Sequence, residues 1–129
     1  MAEDHGRKPL IFVGSSHEDL SVFPSEVREV LGYALHVAQL GSKHRDAKPL
    51  KGFKGAGVLE VVDDFDGDTY RAVYTVRFSA RVYVLHVFQK KAKSGRKTAK
   101  HDVDLIHDRL QAAERIHMEW LQRKKDRTE

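Results

Sequence analysis

The chain has 129 residues, enough for one domain that buries roughly two thirds of the surface its unfolded form exposes, so a core is possible without covalent staples. It has no cysteine, which excludes a disulfide framework and a thiolate zinc site, and 23 Lys and Arg against 19 Asp and Glu leave a mild net charge of +4. A polar, mixed-charge start and a first apolar run of only residues 10–13 match neither a signal h-region nor a membrane span, so a cytoplasmic protein without a membrane partner is expected.

Residues 10–13 (Leu-Ile-Phe-Val) predict a buried strand, followed by Gly14-Ser15-Ser16 as a turn with helix-capping hydroxyls. A short helix over 16–22 and a longer one from Pro24 to Leu40, stopped by Gly41, come next. The longer helix carries Val27, Val30, Leu31, Ala34, Val37 and Ala38 on one stripe. Residues 41–57, with Gly41, Pro49, Gly52, Gly55 and Gly57, predict a loop. Three β-rich runs follow at 58–63, 70–78 and 81–89, joined by Asp66-Gly67, a hairpin signal, and by the less typical Ser79-Ala80. Pairing across the second turn sets Arg71 opposite Phe88 and Val73 opposite His86. A final helix over 102–120 places Val103, Ile106, Leu110, Ala113 and Ile116 on one face. The order describes one α+β domain over 1–129, with 1–8 and 121–129 as flexible ends, helices against one sheet face and the other face available.

The densest chemistry is in residues 90–100, where Lys90, Lys91, Lys93, Arg96, Lys97 and Lys100 occur without an acid. Such a run follows a phosphate backbone and releases its counterions; a solvated loop is the plain alternative. The run starts at a strand end, and Arg71 on the paired strand approaches the same sheet edge. Lys48, Lys51 and Lys54 beside Phe53 offer charge and a stacking ring, or else form a surface loop with one anchoring aromatic. Alternation puts Arg71, Val73, Thr75, His86, Phe88 and Lys90 on one face, and Tyr70, Ala72, Tyr74, Leu85 and Val87 on the other. His86 is either a proton-transfer group or a structural hydrogen bonder.

Metal chemistry finds no motif. The acids Glu60, Asp63, Asp64, Asp66 and Asp68 break the EF-hand pattern, because Thr69 stands where the glycine belongs and Thr75 where the bidentate Glu belongs. His101, His107 and His117 lack HExxH spacing, and no nucleophile or nucleotide-binding fingerprint is present. No metal or cofactor is expected.

Four segments together resemble a known family: residues 48–60 (KPLKGFKGAGVLE), 68–76 (DTYRAVYTV), 84–91 (VLHVFQKK) and 102–110. In order and spacing they are similar to the phage-derived, HigB-like branch of RelE/ParE toxins, over nearly the whole chain. The resemblance implies a RelE-like α+β fold, with N-terminal helices and a C-terminal helix around a small, mostly antiparallel sheet. It also implies the toxin of a type II toxin–antitoxin system, a metal-independent endoribonuclease that cuts mRNA on the ribosome until a helix-turn-helix antitoxin binds it. The 2′-hydroxyl of the RNA then attacks the adjacent phosphate, a reaction that needs a base, cations for the phosphorane charge and an acid for the leaving oxygen.

On this resemblance Arg71 is the phosphate-stabilising arginine, and Lys91, with Lys90 beside it, occupies the place of a catalytic basic residue. A bulge or the strand end decides which lysine joins Arg71. His86 is a candidate for proton transfer. Lys48, Lys51, Lys54, Lys93, Arg96, Lys97 and Lys100 are the expected RNA contacts. Two features of some relatives are missing: a lysine pair on the strand that here reads Leu59-Glu60-Val61-Val62, and a tyrosine after the last basic residue. Glu60 is therefore either a base or the partner of Arg71 when no RNA is bound. The alternatives are a ParE-like protein that inhibits DNA gyrase by binding, or a degenerate phage-derived interaction protein.

Overall fold

A computed structural model describes residues 6–91 and 98–128. Asp66 and Gly67 take left-handed backbone conformations, with φ of 51° and 87°, and close the expected two-residue hairpin between β3 (Val58–Phe65) and β4 (Asp68–Thr75). β5 (Val82–Lys90) pairs antiparallel with β4, and Arg71 lies opposite Phe88 and Val73 opposite His86, as pairing across the second turn predicts. β1 (Leu10–Phe12) adds in parallel to the outer side of β5. The loop over 41–57 contains an unforeseen short strand, β2 (Lys48–Pro49), paired with β3, so the five-stranded order is β1-β5-β4-β3-β2. Pro49 fits there because an edge strand leaves one side without a ladder partner.

The second strand connection is longer than Ser79-Ala80 suggested, because β4 ends at Thr75. The Thr75 hydroxyl donates to the Ala56 carbonyl at 2.9 Å and accepts from the Arg77 amide at 3.1 Å, diverting the chain out of the ladder. Gly57, at φ 61°, comes so close to the Arg77 backbone that a Cβ there would lie 3.0 Å from its nitrogen.

The helices are α1 (Ser16–Ser21), α2 (Ser25–Gln39) and α3 (Lys100–Thr128). Pro24 precedes the first turn of α2, and Gly41 follows its end at φ 86°. The hydroxyls ahead of α1 do not cap it. Ser15 instead donates to the Asp19 carboxylate at 2.8 Å, and Ser16, fully buried, donates to the Val84 carbonyl at 3.3 Å. α3 runs past Trp120 to Thr128.

Both sheet faces are covered, which corrects the expectation of one open face. Val27, Leu31, Ala34, Leu35 and Ala38 of α2 pack on Val61, Ala72, Tyr74, Val82, Val84 and Val87. Val27, Leu31 and Leu35 are almost fully buried, each contributing about 1.5–3 kcal/mol. On the opposite face, Ile106, Leu110 and Ala113 of α3 pack on Val13, Phe53, Val58, Val73, Tyr83 and Leu85. Leu85 had been placed with the other layer. The ladder is irregular between Val73 and Tyr74, whose partners are His86 and Val84, so Leu85 is an extra residue in β5. This bulge lets Leu85 and His86 both face α3.

The bulge is fastened from α3. Arg109 donates to the Leu85 carbonyl at 3.0 Å and to the Ser15 hydroxyl at 3.1 Å, passing directly over Gly14. A Cβ on Gly14 would sit 2.8 Å from the Arg109 Nε, and Gly14 is held at φ 60°. Gly14→Ala therefore meets both backbone strain and displacement of Arg109. It is expected to lower unfolding free energy by about 1–3 kcal/mol in urea denaturation, whereas Gly41→Ala, with open space around it, shows the backbone cost of about 1–2 kcal/mol alone.

Candidate functional site

β4 is the central strand, and Arg71 lies in its middle between Val62 of β3 and Phe88 of β5. Its side chain is 3 % exposed. Strand alternation sends it to the α3 side, beyond the stretch that Ile106, Leu110 and Ala113 cover. Its NH1 group lies 3.4 Å from the Glu60 carboxylate and 3.5 Å from the Thr98 hydroxyl, and Thr98 donates to the same Glu60 oxygen at 3.1 Å. The Arg71 Nε is buried and, among the described residues, has no hydrogen-bond partner. Arg71, Glu60, Val62 and Asp64 line a cavity of about 280 Å³ together with Lys48 and Asp46. The cavity thus sets two cations, Arg71 and Lys48, among three carboxylates, of which Glu60 is the one paired with Arg71, and the Arg71 N–H left over there is a donor open to a further acceptor.

Of the two lysines at the end of β5, Lys90 joins the Arg71 face. It is 7 % exposed and pairs with Thr69, two residues from Arg71 on β4. Lys91 points away, is 76 % exposed, and lies 3.9 Å from Asp68, a carboxylate that also accepts from Gln89 at 2.8 Å. Lys48 reaches the cavity because β2 sets it opposite Glu60. Lys51 and Lys54 are exposed on the following turns and do not line it. Phe53 between them is buried and stacked on His107 at 4.0 Å, so it anchors the loop to α3 and has no free face for a base. Lys100 is exposed and bonded to Asp104 at 2.9 Å, an ion pair that raises its proton affinity. Lys93, Arg96 and Lys97 fall outside the described residues.

His86 is turned into the α3 interface. Its Nε2 lies 2.8 Å from the Asp102 carboxylate, and its ring stacks on Phe88 at 4.4 Å. Burial lowers its pKa, against the opposing pull of the Asp102 hydrogen bond and charge. The neutral ring donates its Nε2 proton to Asp102, which as a carboxylate only accepts, leaving Nδ1 unprotonated, buried and without a partner. Asp102 sits in the first turn of α3, where a negative charge is favourable. Asp102 and Thr98 were both missed from sequence. Asp102 had a signal, since it extends the Ile106, Leu110, Ala113 stripe back by one turn, and an acid on a core face needs a partner. Thr98 had none.

At the far end of α3, His117 accepts from the Tyr83 hydroxyl or donates to it at 2.8 Å, packed among Phe78 and Trp120. Burial and the nearby Arg81 lower its pKa. Among the described residues, no three His, Asp or Glu side chains converge as a cation site, and no helix is long and apolar enough to cross a membrane.

The fold is thus an α+β domain with a mostly antiparallel sheet, N-terminal helices on one face and a C-terminal helix on the other, and a buried arginine at the site. The sequence matches the family described as phage derived protein Gp49-like over residues 18–111. The chain belongs to that family, a RelE/HigB-type toxin family, and is the toxin of a toxin–antitoxin pair. A search of curated protein sequences returns no match. Among solved structures, a double arginine-to-alanine mutant of the E. coli toxin RelE in the free state is similar at a TM-score of 0.49 and 22 % identity, covering 69 % of this chain and 87 % of that one.

The two buried histidines give the fold a pH dependence. Both folded-state pKa values lie below the ordinary value of 6.5, so between them and 6.5 the unfolded chain binds more protons. Stability is then complete above pH 6.5 and falls as the pH drops through that value. Urea midpoints measured from pH 7.5 down to 5 are expected to decline, and His117→Phe is expected to flatten part of the decline.

Proposed function

We propose that this toxin is a metal-independent endoribonuclease that cuts mRNA, acts on the ribosome, and is silenced by a helix-turn-helix antitoxin. The observation that carries the reading is Arg71: a guanidinium buried in the central strand, with an Nε that has no partner among the described residues, beside a cavity lined by Lys48 and by the carboxylates of Glu60, Asp46 and Asp64. Lys90 on the same face adds a second cation near Arg71, and the sequence after it supplies further basic residues for an RNA backbone.

In this reading a phosphodiester takes the place of the Glu60 carboxylate at Arg71. The displaced Glu60 accepts the 2′-hydroxyl proton as the 2′-oxygen attacks phosphorus. Arg71 bears the charge that grows on the non-bridging oxygens, and the bond to the 5′-oxygen breaks. Lys90 gives a proton to that leaving oxygen, and the products are a 2′,3′-cyclic phosphate and a free 5′-hydroxyl. Preorganised charge of this kind is worth about 10²–10³ in rate for one donor. Lys48, Lys91 and the basic segment position the strand, and His86 acts through the seating of α3 rather than on the substrate.

Arg71→Ala is expected to abolish growth arrest on induction and to slow cleavage of translated mRNA by at least about 10²-fold. Because the change leaves the Glu60 carboxylate without its cation, Glu60→Gln in the same chain serves as the folding control, with circular dichroism on both. Lys90→Ala is expected to cost more activity than Lys91→Ala. Mapping mRNA 5′ ends after brief induction decides the matter. New ends that vanish with Arg71→Ala support the proposal, whereas intact mRNA together with blocked DNA gyrase supercoiling establishes a non-enzymatic, ParE-like inhibitor instead.

A further inference from the structure

α2 carries two apolar stripes, and only one of them is buried. Val27, Leu31, Ala34, Leu35 and Ala38 face the sheet. Val30, Tyr33, Val37 and Leu40 recur at steps of three, four and three along another side, the spacing of a helix-pairing seam. Val30 is 38 %, Tyr33 60 % and Leu40 53 % exposed, and Val37 is half-buried. Val30, Tyr33 and Val37 form the apolar wall of a groove of about 780 Å³, whose other side is the loop of Lys43, His44 and Arg45, with the His44 ring 5.8 Å from Tyr33.

The charges along this groove are polar in direction. Glu29 and Asp63 lie toward the start of α2, since Asp63 pairs with Tyr70 and the Tyr70 ring meets Phe23 just ahead of the helix. Lys43 lies beyond the end of α2. Arg45 and Asp46 of the same loop also line the groove and pair with each other at 3.9 Å, which leaves Lys43 as the cation beyond the end of α2 and Glu29 and Asp63 as the acids near its start, an arrangement complementary to its own copy turned end for end.

We propose that this groove seats α2 of a second copy of the chain, antiparallel about a two-fold axis. Val30 of each copy then meets Leu40 of the other, Tyr33 meets Val37, and Glu26 and Glu29 come against Lys43 and His44. A two-fold contact makes every such pairing occur twice, which suits a patch that carries both halves of each pair. The 15-residue helix is only about 22 Å long, so the contact is modest and association falls in the micromolar range rather than the nanomolar. α2 covers the sheet face opposite Arg71, and the groove and the Arg71 cavity meet at Asp46, which lines both.

Sedimentation velocity of the full chain, from low micromolar to sub-millimolar concentration, tests the pairing. A reversible monomer–dimer equilibrium is expected, weakened at least about tenfold by Tyr33→Glu with an unchanged circular dichroism spectrum. Glu29→Lys and Lys43→Glu should each weaken it, and the two changes together in one chain should restore it, a rescue that a merely sticky surface does not show. A chain that stays monomeric throughout, a dimer indifferent to Tyr33→Glu, or a charge exchange without rescue overturns the proposal. A monomer whose Tyr33 groove binds an antitoxin helix overturns it too, and gives the groove to that partner.

Discussion

One extra residue in β5 sets the placement of nearly everything that matters at the site. Without the bulge at Leu85, strict alternation from Val82 to Lys90 would put Tyr83 and His86 on opposite sides. With it, Tyr83, Leu85 and His86 all face α3, and the strand leaves the bulge with Phe88 and Lys90 on the Arg71 side. The bulge thereby joins two functions of one sheet face, a packed half that holds α3 and a polar half that holds the arginine. Arg109 on the Leu85 carbonyl and Asp102 on His86 fix α3 at that junction.

Burying Arg71 so deeply makes sense only in company. A guanidinium removed from water carries a desolvation penalty of several kcal/mol, and one carboxylate at 3.4 Å offsets part of it. Thr98 shares the same Glu60 oxygen and so ties the start of α3 to the cation. The same chain segment that closes the domain on this side also completes the arginine's surroundings. Whatever replaces Glu60 at Arg71 must therefore compete with a hydrogen bond as well as with a charge.

Much of the fold was legible because its signals are local. Asp66-Gly67 demanded a tight hairpin, the three- and four-residue apolar steps marked α2 and α3, and pairing across the turn at Ser79-Ala80 set Arg71 opposite Phe88. The shared face of Arg71 and Lys90 was also readable, from parity, whereas Glu60 was named as a base or a partner of Arg71 only where the family's lysine pair is missing. What escaped depends on contacts distant in sequence. The bulge has no glycine to announce it. The Lys48-Pro49 strand exists only because β3 offers an edge, and Phe53 is core rather than surface only because His107 lies over it. Asp102 reaches His86 across 16 residues and Thr98 reaches Glu60 across 38, separations at which residue type carries no positional information.

The cluster at the far end of α3 has a use of its own. Trp120 is the sole tryptophan of the chain, and it lies against Arg81 at 4.5 Å, Lys124 at 5.0 Å and the His117 ring at 5.4 Å. Arg81 comes from the loop leading into β5, so the indole touches both its own helix and the approach to the sheet. Cations and an imidazole this close to an indole are expected to change its fluorescence when they move away. The molecule therefore contains a built-in optical gauge of whether α3 is seated, at the opposite end of the interface from Arg71.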